Sequence, residues 1–168
     1  MSKKVEIVKE KGRKKVYING VERAECIARS LNDNIIIHDM ENYKLYFYSK
    51  QDDNFICVEE NISAVEFCHQ GIRIVKYRKN KHNIEAFFSY SGKAILPFDL
   101  KLDLISPKKK VILGGRIANN SFKYGIFTYS GKEKIPVKND TIWVYDEYAD
   151  VIEKAGSNKI VRYDLSNI

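Results

Sequence analysis

Residues 87–97 read FFSYSGKAILP, and residues 126–136 read IFTYSGKEKIP. At an offset of 39 residues, six of the eleven positions are identical: Phe88/Phe127, Tyr90/Tyr129, Ser91/Ser130, Gly92/Gly131, Lys93/Lys132 and Pro97/Pro136. Leu96/Ile135 is a conservative seventh. An apolar run precedes each block, residues 72–77 before the first and 110–113 before the second. Self-similarity at a fixed period marks a repeat architecture. Short runs of Val, Ile, Tyr and Phe suit a pleated, half-buried surface. Ser-Gly-Lys is turn chemistry, because Gly takes a positive φ without steric cost. Pro97 and Pro136 have no amide to donate, so each is expected to end its strand or to sit at a sheet edge.

Weaker copies flank this pair. Residues 34–38 with 43–49, residues 142–145 with 159–163, and residues 5–8 with 15–20 have the same strand, loop, strand form. That makes about five hairpin units, two clear and three degraded. Turn residues recur often and long amphipathic helical periods are nearly absent, which predicts an all-β chain. The expected architecture is a series of antiparallel β-hairpins at a spacing of about 39 residues. They would pack as a curved sheet array, a propeller-like ring or a two-sheet sandwich, with residues 1–168 folding as one β-repeat domain. One segment reads differently. Ala24, Ile27, Ala28 and Leu31 fall on one helical face, so a short helix near 22–31 is favoured over the strand that the repeat register would place there.

The block 122–147, FKYGIFTYSGKEKIPVKNDTIWVYDE, resembles the WG-type β-repeat of bacterial proteins. Lys123-Tyr124-Gly125 stands where that family has Lys-Trp-Gly, and Ile126-Phe127 is the apolar pair. Gly131-Lys132 is the turn, Ile135-Pro136 the strand end, and Asp140 with Ile142 closes the unit. The family's Trp is Tyr in this copy. In residues 82–105 the Trp-Gly pair is replaced by Glu85-Ala86, while Gly92-Lys93 and Leu96-Pro97 remain. The other copies keep only the strand spacing. The resemblance implies a β-rich interaction scaffold without catalysis, and it carries over no active-site residues.

The chain has 168 residues, of which 44% are hydrophobic and 30% charged, enough apolar content for a packed core. No apolar run approaches the roughly 20 residues of a membrane-spanning helix, and residues 1–10 do not form a signal-peptide core. Cys26, Cys57 and Cys68 are odd in number and lack CxxC spacing, so reduced, mostly buried thiols in a cytoplasmic protein are expected. The net charge is +7, unevenly spread. Residues 1–15 hold seven bases against two acids. Residues 71–81 (Arg73, Lys76, Arg78, Lys79, Lys81) and 104–132 (including Lys108, Lys109, Lys110, Arg116 and Lys123) contain no acid. Residues 140–153 hold five acids and no base. Such polarity steers an oppositely charged partner.

No catalytic or metal-binding pattern stands out. His38, His69 and His82 lack chelating spacing, and the neighbours Cys68 and His69 would point to opposite faces of a strand. Gly114-Gly115 follows a strand-like run without a phosphate-loop pattern and is expected to form a hairpin turn or a bulge. His69, His82 and Glu85 supply ribonuclease-type chemistry only if the fold gathers them. No cofactor or metal is expected. The function expected is a non-catalytic protein-interaction module, a small basic inhibitor or adaptor. A version acting on a nucleic-acid enzyme, of bacterial or phage origin, fits this reading. The alternative is direct binding of single-stranded RNA or DNA. There the basic stretches, interleaved with Tyr77, Phe122, Tyr124, Phe127 and Tyr129, would supply charge and stacking. For either partner the candidate contacts are the ten basic residues named from Arg73 to Lys123, together with Tyr124.

Overall fold

The computed structural model describes residues 4–77 and 83–167, which form seventeen β-strands and no helix. Sheet I contains β1 (Val5–Glu10), β2 (Arg13–Ile18) and β3 (Val21–Arg23). Sheet II contains β4 (Cys26–Leu31), β5 (Asn34–Asp39), β6 (Lys44–Ser49) and β7 (Asn54–Glu60). A seven-stranded meander follows: β8 (Ile62–Phe67), β9 (Ile72–Lys76), β10 (Ile84–Phe88), β11 (Ala94–Ser106), β12 (Val111–Ala118), β13 (Ser121–Thr128) and β14 (Glu133–Asn139). The last sheet, V, contains β15 (Thr141–Val144), β16 (Tyr148–Ile152) and β17 (Val161–Asp164). Within each sheet every strand pairs antiparallel with its neighbour in sequence. The 13-residue β11 pairs β10 through residues 94–100 and β12 through residues 101–106. It thereby divides the meander into two four-stranded halves, III and IV.

The 39-residue offset carries into the pairing: Glu85↔Leu100, Phe87↔Leu96 and Phe88↔Ala94 recur as Tyr124↔Asn139, Ile126↔Ile135 and Phe127↔Glu133, while Phe88↔Ile72 shifts by one residue to Phe127↔Ile112. β8, β9 and β10 begin 39 residues before residue 101 of β11, residue 111 of β12 and residue 123 of β13. The two Ser-Gly-Lys turns make the same bonds. Ser89 N–H donates to Lys93 O (2.9 Å), and Thr128 N–H donates to Lys132 O (2.9 Å). The hydroxyls Ser89 and Ser91 are 2.8 Å apart, and Thr128 and Ser130 2.7 Å. Gly92 and Gly131 hold φ of 81° and 85°. A Cβ on Gly131 would lie 2.5 Å from the carbonyl oxygen of Ile95, so only glycine lets this turn seat on half III. Pro97 lies in the part of β11 that pairs with β10 alone, a local sheet edge, as expected. β11 also bulges there, the three residues between Leu96 and Leu100 facing the one, Ala86, between Phe87 and Glu85. Pro136 sits in the matching bulge of β14, which is an edge strand.

Four buried clusters join the sheets in chain order. Val5, Val16 and Ile18 of sheet I pack on Ile35, Ile37, Tyr46 and Tyr48 of sheet II. The opposite face of sheet II, with Ile36, Leu45 and Phe47, packs on Ile62, Ile72, Ile74, Ala86 and Phe88 of half III. Phe87 joins half III to Ile112 and Phe127 of half IV. Val111, Ile126 and Ile135 of half IV pack on Ile142, Ala149 and Val151 of sheet V. This layering explains why Ile35-Ile36-Ile37 and Leu45-Tyr46-Phe47-Tyr48 are apolar without alternation: their strands are covered on both faces. The all-β hairpin array is therefore the observed fold, and no sheet of the described residues closes into a barrel.

The short helix near 22–31 is replaced by strands. Residues 21–23 pair with β2, and residues 26–31 form a six-residue ladder with β5 through a turn at Asn32 (φ 50°). A ten-residue helix is marginal on its own, whereas the strand adds a complete ladder to a buried sheet. Gly114 and Gly115 do not form a turn. They lie inside β12, opposite Gly125 and Tyr124, beside a bulge that falls on β11 between Leu102 and Leu104. A Cβ on Gly115 would come within 2.5 Å of the Lys123 carbonyl oxygen, and one on Gly125 within 2.7 Å of that of Ile135. Close approach is their role.

His38 sits on the buried face of β5 toward half III, and its Nε2 has no hydrogen-bond partner among the described residues. Burial pushes its pKa below the ordinary 6.5, outweighing a backbone hydrogen bond at Ile62 and the charge of Asp39. The unfolded chain therefore binds a proton that the folded chain refuses, and stability is lost as pH falls below that value. The expected result is a melting temperature that drops between about pH 7 and pH 5, with a smaller drop for His38→Gln. Parallel curves for the two proteins would assign the pH dependence elsewhere.

Candidate functional site

The candidate basic residues do not form one patch. Arg73 and Lys76 lie on β9, Lys108 to Lys110 on the turn before β12, and Arg116 opposite Lys123 across β12 and β13. Arg116 lies six residues along the strand from Lys110, about 20 Å at the usual rise. Arg78, Lys79 and Lys81 lie outside the described residues.

Most of the described cations are held by acids. Arg73 Nε donates to Glu85 (2.7 Å), and its Nη1 is 3.3 Å from Glu66. Lys76 pairs with Glu59 at 3.3 Å and lies 4.5 Å from the ring centre of Phe98. Arg116 pairs with Asp99 at 2.6 Å. Lys123 pairs with Asp140, whose carboxyl is held below its ordinary range by that lysine and by the Ala155 N–H. Lys108 pairs with Asp146 at 2.8 Å, and Lys109 donates to the Val144 carbonyl (2.8 Å). The acidic stretch 140–153 is thus largely spent on neighbouring cations, mostly those of half IV. The two blocks of opposite sign in the sequence are adjacent layers that neutralise each other.

Tyr124 is half-buried, packed on the cluster between half IV and sheet V, with its ring 4.9 Å from that of Phe122. Burial pushes its phenol pKa up. Phe127 is a core residue, and Tyr129 packs on the same cluster with its pKa raised by burial to about 12. These aromatics fill the stack.

Tyr43 and Tyr77 are exposed singly, whereas sheet V exposes aromatics side by side. Ile142, Val144, Ala149 and Val151 face half IV, so the alternation of β15 and β16 turns Trp143, Tyr148 and Asp150 outward. Cross-strand pairing puts Trp143, Asp150 and Arg162 in one row. Arg162 grips Asp150 with two bonds (2.8 and 2.9 Å), and its guanidinium lies 3.9 Å from the ring centre of Tyr148. Tyr148 stacks on Tyr145 at 4.6 Å. The bidentate pair holds the Asp150 carboxyl below its ordinary range. Trp143 and Tyr145 are 45% and 41% exposed although their neighbours are locked in place. At the other end of the stack, the outer face of sheet I carries Glu10, Lys15, Tyr17 and Glu22 joined by ion pairs and a hydrogen bond. That is the polar outer face a terminal repeat needs for solubility. Sheet V lacks one.

Sequence reasoning missed this face, although a period-2 reading of Ile142-Trp143-Val144-Tyr145 separates its two sides. Residues considered for chemistry have structural surroundings. Glu85 is buried and accepts hydrogen bonds from Arg73 and from the Leu102 N–H. His69 is exposed, and His82 lies outside the described residues. Cys26, Cys57 and Cys68 are free, half-buried thiols whose pKa values burial pushes up. No group of three His, Cys, Asp or Glu among the described residues has the geometry to hold a metal ion. No described helix is long and apolar enough to cross a membrane. The chain matches no protein-family model, and no curated protein matches it.

Proposed function

We propose that this chain is a non-catalytic interaction module that binds another protein through the outer face of sheet V. The observation that carries this reading is an exposed Trp beside exposed Tyr and Arg side chains already fixed by their neighbours. Trp, Tyr and Arg dominate the binding energy of protein interfaces. Side chains ordered before contact lose less entropy on binding. The resemblance of residues 122–147 to WG-type repeats supports the same reading, as does the structural use of Glu85 and the cysteines. A small inhibitor or adaptor is the form this function takes here. Direct single-strand binding, the second reading, has weaker support, because the cations it relies on at positions 73, 76, 108, 116 and 123 already hold acids.

The test compares the tagged chain with Trp143→Ala in lysate of its source cells, split with and without nuclease. A protein captured by the wild type is expected to bind the variant more weakly by about 2 kcal/mol or more, with thermal stability little changed. Equal capture by both proteins rules out this face, and recovery of nucleic acid alone would favour the second reading.

A further inference from the structure

Three lysines escape the charge pairing that occupies the other candidates. Lys110, Lys132 and Lys134 line one cleft of about 310 Å³, together with Thr128, Ser130 and Asn167. Among the described residues, none of the three makes an ion pair and no carboxylate lines the cleft. Glu133, between two of them, faces the other side of β14, where it accepts the Val137 N–H (3.2 Å). Three like charges are thus gathered where the loop ends of halves III and IV meet the residues after sheet V. Gathering them costs free energy unless an anion compensates.

The repeat supplies an internal control. Thirty-nine residues earlier, Thr128, Ser130 and Lys132 have the counterparts Ser89, Ser91 and Lys93, and the turn bonds are the same. Lys110 and Lys134, however, correspond to Gly71 and Ile95. The hairpin therefore forms without these two lysines. Lys110 moreover holds a φ of 53°, a conformation that glycine adopts more readily. Neither lysine serves the turn, and both project toward one opening.

We propose that this cleft binds a compact, multivalent oxyanion of the phosphate type. Lysine acts as a point charge toward phosphate. Thr128 and Ser130 share one hydrogen between their oxygens, which leaves the second hydroxyl hydrogen to donate to a ligand. The volume lies at the lower end of the range for small-molecule sites, enough for a short chain of phosphoryl groups.

The experiment titrates tripolyphosphate into the full chain at physiological ionic strength by calorimetry. Inorganic phosphate and a short oligouridylate are parallel arms. Lys110→Gly with Lys134→Ile copies the sister turn and is expected to fold and to bind tripolyphosphate about tenfold or more weakly, two cations having left the site. Lys93→Gln, at the sister turn, is expected to bind as the wild type does. If the first variant melts without cooperativity, Lys110→Gln with Lys134→Gln replaces it, keeping most of the side-chain bulk. Equal loss in the Lys93 variant, or no loss in either cleft variant, overturns the proposal. So does an oligouridylate that binds through Lys110 and Lys134 where tripolyphosphate does not, which would make the cleft part of a nucleic-acid strand site.

Discussion

Phe47→Ala is expected to lower the unfolding free energy by about 3–5 kcal/mol. Phe47 is 0% exposed and lies on the face of β6 that packs against half III. Its ring stacks on Phe88 with centroids 5.8 Å apart. The turn glycine Gly92 sits directly above it: a Cβ there would be 3.1 Å from Phe47 Cβ. Truncation leaves a void beside Phe88, and Gly92 above it has no side chain to fill the space. In a stack held by nearest-neighbour contacts, the lost interface also weakens the coupling of sheets I and II to the rest. Urea unfolding followed by far-ultraviolet circular dichroism should show an earlier midpoint. It should also show a shallower or divided transition. A loss below about 1 kcal/mol would mean that the layers slide together to fill the space.

Glu85→Ala is expected to cost about 3–5 kcal/mol, the usual result of removing one partner of a buried ion pair. One carboxylate oxygen, Oε2, accepts from Arg73 Nε (2.7 Å) and from the Leu102 N–H (3.0 Å). The second bond matters because Leu102 lies just past the point where β11 leaves β10 and begins to pair with β12. Alanine strands both donors. Glu66 lies near Arg73 but is largely exposed, so it compensates weakly. Glu85→Gln keeps a carbonyl for one donor and should cost less than alanine. Equal stability of wild type and Glu85→Ala in guanidinium unfolding would mean that water or Glu66 satisfies both donors.

The hairpins, their spacing and the turn chemistry are legible in the sequence because each depends on residues close in the chain. FFSYSGKAILP and IFTYSGKEKIP carry their turn bonds within five residues. Residues 22–31 misled because four apolar residues fall at helical spacing, although in the structure Ala28 and Leu31 are half-buried while Ala24 and Ile27 are exposed. Only the partner β5 decides between helix and strand. The candidate site was legible in composition and not in arrangement. Lys108 and Asp146 are 38 residues apart, so their pairing follows from the stacking of layers and not from local pattern. Blocks of charge read along a repeat chain are read across its layers.

The sharing of β11 has a mechanical meaning. Halves III and IV are joined by an unbroken strand hydrogen-bonded along both of its parts, whereas sheets I, II and V connect to their neighbours through short links between unpaired strands. Tension applied to the two ends should therefore peel the outer sheets away first. The residual unit, β8 to β14, would carry the Ser-Gly-Lys turns and the three-lysine opening together as the last part of the chain to give way.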